Sequence, residues 1–228
     1  MCENAENKEQ MLNEVFERIG EENGMRATAE FAAFSELKVN WIRTCDWAEF
    51  RVSDYLRDAP EGVIEDIART IMAKIRRCGG EYTERATAWL TAPEFSKVHR
   101  PTYLERDERA GEKEGKRKSI EASLGRLESL GLIERDSSIE IRWSKEEERG
   151  SAARSSVLMR LIVVGRALDS DDVPDSALDL AVLKHLALIR AGFLAEPMRR
   201  DREVEDALSR YPGFDGTIEW MEDHGIVL

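Results

Sequence analysis

The side chains that could do chemistry are few and widely spaced. Three histidines, His99, His185 and His224, and three cysteines, Cys2, Cys45 and Cys78, are spread over 228 residues. No two cysteines form a C-x-x-C pair, and three thiols cannot all pair within one chain, so free thiols are expected. The glycines form neither G-x-x-x-x-G-K-[ST] nor G-x-G-x-x-G, so the backbone cradle that nucleotide phosphates need is missing. No G-x-S-x-G elbow or reactive-cysteine context accompanies the histidines, which leaves nucleophilic hydrolysis without support. His99 lies in a basic segment and His224 follows Glu222 and Asp223; both read as surface residues. His185 differs. It sits in VLKHLALIR (182–190), inside the most apolar helical stretch of the chain, where a lone imidazole reads first as a hydrogen-bonded core residue and only weakly as a metal ligand.

Charge narrows the partners. A formal net charge of -12 repels phosphate backbones, so nucleic acid is disfavoured as a general partner. Two local basic runs, Lys113 to Lys118 and Arg199 to Arg202, are interleaved with acids and read as solvated faces; the first is expected to be a mobile loop. A winged-helix DNA-binding module is the alternative, because a helix ending in RLESLGLIE is followed by the strand-like SSIEIRWS. Against it, Glu121, Glu128 and Glu134 stand where phosphates would approach. Leu178 to Leu194 is interrupted by Asp179, Lys184, His185 and Arg190, so no membrane span is expected. The start MCENAENKEQ lacks the basic and apolar regions of a secretory signal, and with free thiols this makes the cytoplasm the expected location.

The elements that must position these residues alternate in type, which predicts an α+β fold. Met11, Leu12, Val15, Phe16 and Ile19 recur at helical spacing before Gly24. LKVNWIRT (37–44) and AEFRVSDYL (48–56) predict a β-hairpin, and a helix opens at Pro60 and stops at Gly79-Gly80. Short helices follow over 83–90 and 93–98, then the charged RDERAGEKEGKRK (106–118) predicts an exposed loop. A helix from Ser119, a strand over 137–144, a β-branched strand or strand pair over 155–170 and a buried helix from Pro174 to Gly192 come next. Two helices, near 201–211 and 214–224, close the chain. No internal repeat is visible.

KVNWIRTCDWAEFRVSDYLRDAPEGVIEDIARTI (38–71) and SSVLMRLIVVGRALDSDDVPDSALDLAVLKHL (155–186) carry a resemblance in order and context. Together they resemble SprT-like zinc metallopeptidases, particularly predicted metal-dependent hydrolases of archaea, over about residues 34–228. The resemblance implies a small antiparallel sheet packed against helices that include a buried active-site helix. It also implies an N-terminal helical extension over 1–33 and a charged, helical insertion at about 104–135. In that family the active-site helix carries H-E-x-x-H: two histidines bind zinc and the glutamate is the general base for the zinc-bound water. Here His185 matches the first histidine, Leu186 the glutamate and Ile189 the second histidine, while the downstream ligand position falls at Arg200 before Tyr211-Pro212. The chain is therefore expected to hold no zinc, to lack peptidase activity, and to act on an unknown protein partner by binding or regulation. A zinc-dependent hydrolase using Asp179, Asp201 or Glu205 is a further alternative.

Overall fold

A computed structural model describes residues 2–146 and 150–228. The described chain divides into two compact units, residues 1–92 and 93–228. The boundary expected at residue 34 falls instead between two strands of the first unit, because the N-terminal helix is part of that unit's core and not an extension to it.

In the first unit, α1 (Cys2–Glu22) lies on a three-stranded sheet of β1 (Arg26–Ala32), β2 (Val39–Arg43) and β3 (Trp47–Ser53) in the order β1-β3-β2. The hairpin of β2 and β3 is antiparallel, as the alternation predicts, and β1 adds to it in parallel. Leu12, Phe16 and Ile19 of α1 are buried with Phe50 and Val52 of β3, and the Phe16 and Phe50 rings lie 4.8 Å apart. After β3 a 3-10 turn (Asp54–Leu56) leads through Pro60, which caps α2 (Glu61–Ile75); α3 (Glu84–Thr91) follows.

The second unit opens with α4 (Pro93–Arg106) and then runs through α5 (Ile120–Ser129), β4 (Glu140–Trp143), β5 (Ala153–Ser156) and β6 (Leu161–Val164). Its sheet has the order β4-β6-β5, with β4 parallel and β5 antiparallel to β6. A 3-10 turn (Arg166–Leu168) and Pro174 lead into α6 (Asp175–Ala191), which ends at Gly192 with φ 91°, a conformation glycine adopts without strain. Helix α6 is apolar on nearly every side and is buried from Ala177 to Leu183, so it forms the centre of the core. Helices α7 (Pro197–Ser209) and α8 (Phe214–Asp223) pack on it.

Two expectations are corrected here. The single antiparallel sheet is two mixed sheets. The missing repeat is present in the topology: helix, three strands, 3-10 turn, proline and helix occur in the same order in α1–α2 and in α5–α6, with the same strand order and directions. Different side chains fill the two cores, so the repetition left no sequence period to read.

Candidate functional site

The positions singled out on α6 and α7 do not assemble into a metal centre. His185 is buried, its Nδ1 lies 2.9 Å from Ser155 Oγ on β5, and burial together with the neighbouring Lys184 charge pushes its pKa down from 6.5 to about 4. Leu186 and Ile189 are buried in the apolar core. Arg200 is exposed on α7 and bonds Asp201 at 3.1 Å. A catalytic zinc needs three protein donors and an open position; an imidazole flanked by two aliphatic side chains and a guanidinium does not supply them. Among the described residues no group of three His, Cys, Asp or Glu side chains is placed to hold a metal ion.

The alternative ligands are occupied or dispersed. Asp179 is buried and accepts Arg126 Nε at 2.8 Å, Arg126 Nη2 at 2.7 Å and the Tyr211 hydroxyl at 3.0 Å. Burial first, and then the Asp179 carboxylate, push the Tyr211 phenol upward. Asp201 and Glu205 are exposed on α7. Cys45 and Cys78 are free and exposed, while the side chain of Cys2 lies outside the described residues.

A concavity of the second unit lies elsewhere on the same core, against the outer edge of β4. It measures about 720 Å³, within the roughly 300–1,000 Å³ of ordinary ligand sites, and Ile120, Leu124, Ile133, Ile139, Ile141 and Leu186 supply its apolar lining. Leu186, at the position the resemblance gives to the glutamate base, is thus part of this cleft.

The strand ladder explains why the edge is open. Glu140 and Ser144 donate their amides to Arg160 and Val164 carbonyls on the β6 side, so alternation turns Ile139, Ile141 and Trp143 outward. Trp143 is already covered: its carbonyl accepts from Gly111 at 2.8 Å, its amide donates to Glu112 at 2.8 Å, and Lys145 donates to Arg109 at 2.9 Å. Among the described residues the outward amide and carbonyl of Ile141 have no such cover. The first unit shows the contrasting case, because α1 lies directly on β1. Asn13 Oδ1 accepts from the Ala29 amide at 3.0 Å, Glu9 Oε1 accepts from Phe31 at 2.7 Å, and a Cβ on Gly20 would fall 2.7 Å from that of Ala27. In the second unit the corresponding helix, α5, stands off β4 and leaves the cleft between them.

The charged segment 106–118 is not the free loop its composition predicts. Asp169 accepts the backbone amides of Lys116 at 2.7 Å, Arg117 at 2.8 Å and Lys118 at 2.8 Å, and Arg166 pairs with the same carboxylate. Burial raises the Asp169 carboxyl, and these donors outweigh it and hold it below its usual value. A Cβ at Gly111 would lie 2.9 Å from the Trp143 carbonyl oxygen, so the segment can reach β4 only through glycine. The strand that follows α5, β4, pairs in parallel with β6, which pairs antiparallel with β5. Glu121 and Glu128 on α5 are both bonded to Arg135.

The chain matches no protein-family model, no curated protein and no solved structure. No described helix is long and apolar enough to cross a membrane. Sequence reasoning missed the cleft because its walls are ordinary aliphatic and charged residues from separate segments; the one available signal was Gly111 and Gly115 in an otherwise charged run.

Proposed function

We propose that this chain is a metallopeptidase-like protein without peptidase activity, which binds an extended segment of a partner protein along the outer edge of β4. The observation that carries the reading is the outer edge of β4 at Ile141, which lines a cleft of mixed aliphatic and charged side chains and is not covered as Trp143 is by Gly111 and Glu112. An open edge strand is a template for another strand, main-chain hydrogen bonds giving affinity and flanking pockets giving selectivity. Leu186 and Ile189 support the absence of peptidase activity: an aliphatic side chain can neither accept a proton from water nor hold a metal.

The test uses a labelled seven-residue peptide alternating valine with serine, followed by fluorescence anisotropy. Ile141→Pro removes the outward amide without touching the β6 ladder, so it should weaken binding at least tenfold while Ile141→Val does not. Mass spectrometry should find the peptide intact after prolonged incubation with added zinc. Equal binding by both variants, or cleavage that His185→Ala abolishes, contradicts the proposal.

A further inference from the structure

Glu140 lines the cleft on the β4 side, and its carboxylate meets three cations: Arg142 Nε at 2.6 Å, Arg100 Nη1 at 3.3 Å and Lys113 Nζ at 3.7 Å. Burial raises the Glu140 carboxyl, and Arg142, Lys113 and Arg100 more than offset it, so it stays ionised well into the acid range. Around this one carboxylate the cations are in excess, in a protein whose net charge is -12. Glu114 also lines the cleft and is exposed to solvent. The opposite wall has the reverse balance, where the single guanidinium of Arg135 is shared by Glu121 at 2.5 Å and Glu128 at 2.7 Å. Charges of both signs thus line the cleft, with Arg100 and Lys113 gathered at Glu140 and Glu121 at Arg135.

Strand geometry determines where a bound segment would feel this. Glu140 and Arg142 point to one face of the sheet, and Ile139, Ile141 and Trp143 to the other. A strand added at Ile141 continues the same alternation, its side chains falling in turn beside the isoleucines and beside the cationic cluster.

Resting on the peptide reading above, we propose that the bound segment alternates aliphatic residues with an aspartate or glutamate, the acid pairing with Lys113 and Arg100 while the aliphatic side chains face Leu124 and Leu186. Lys113 is the adjustable member, since its ammonium is mostly in water and can turn toward a ligand, whereas Arg100 is fixed by Glu140 and by the Ser138 carbonyl at 2.9 Å.

The experiment compares three versions of one labelled, end-blocked heptapeptide of alternating valine and serine whose central serine is replaced by aspartate, asparagine or lysine. Anisotropy titrations at about 0.15 M salt should give the aspartate version about tenfold tighter binding than asparagine, with lysine weakest. Lys113→Glu, a surface change that leaves the core intact, should invert the order of aspartate and lysine. Equal affinity of the three peptides overturns the acidic selectivity and leaves the peptide reading standing. Binding by none of them overturns both.

Discussion

Arg126 of α5 clasps Asp179 of α6 through two parallel hydrogen bonds, 2.8 Å from Nε and 2.7 Å from Nη2, with the Tyr211 hydroxyl on the same carboxylate. The first unit uses the same device: Arg85 grips Asp66 of α2 through Nε at 2.7 Å and Nη2 at 2.8 Å, with Thr83 as third donor. The carboxylates differ in burial, Asp179 being 1% exposed and the Asp66 side chain 11%, and Arg85 is mostly in water. Removing one partner of a buried pair leaves an uncompensated charge, whereas exposed pairs contribute little. Arg126→Met should therefore cost about 3 kcal/mol in urea unfolding, and Arg85→Met, whose guanidinium is mostly in water, should cost less. Equal losses would mean that the bond from α5 to α6 is not what sets the cleft wall.

His185 gives the fold a defined sensitivity to acid. Its folded pKa is depressed to about 4 from 6.5, so the neutral imidazole is the form the folded state favours. Its contribution is complete above pH 6.5 and is lost as pH falls from 6.5 toward 4, to a total of about 3 kcal/mol at roughly 1.4 kcal/mol per unit. His185→Gln can still bond Ser155 and should flatten that limb of the stability curve. Proton NMR of the imidazole checks this directly: a midpoint near 6.5 contradicts the buried, neutral assignment.

The anchoring of 116–118 by Asp169 predicts a change in dynamics. Asp169→Ala removes the acceptor of three amides and should speed hydrogen exchange at Lys116, Arg117 and Lys118 by at least about tenfold, that is, by more than about 1.4 kcal/mol of local stability. Because the folded carboxyl lies below its unfolded value, the same release should appear as pH falls through that depressed value and be absent at neutral pH. Fast exchange in the unsubstituted protein at pH 7 would restore the mobile loop that the composition suggests.

What the residues revealed in advance follows from what each kind of signal encodes. The hairpin of β2 and β3, the helix opening at Pro60 and the buried helix from Pro174 to Gly192 were legible because alternation, proline and glycine act locally. Strand β1 was missed: RATAEFA is rich in alanine, and it is a strand because Phe50 and the Leu12–Ile19 face of α1 bury its small side chains. The pinned loop was missed because Asp169 lies more than fifty residues from the amides it accepts. The identities at 185, 186, 189 and 200 are read directly from the chain, but the cleft beside Leu186 depends on where α5 stands relative to β4, which no local pattern carries.

The central claim, that the outer edge of β4 receives an extended segment, is tested most directly by amide hydrogen exchange at Ile141 with and without saturating heptapeptide. Its amide lies on the side of β4 away from β6, and among the described residues no hydrogen bond of the kind that covers Trp143 reaches it, so it should exchange rapidly in the free protein. A peptide strand bonded to it should slow that exchange by at least about tenfold, while Glu140 and Arg142, which belong to the β6 ladder, change little. Peptide binding that leaves the Ile141 amide as fast as before would contradict the account.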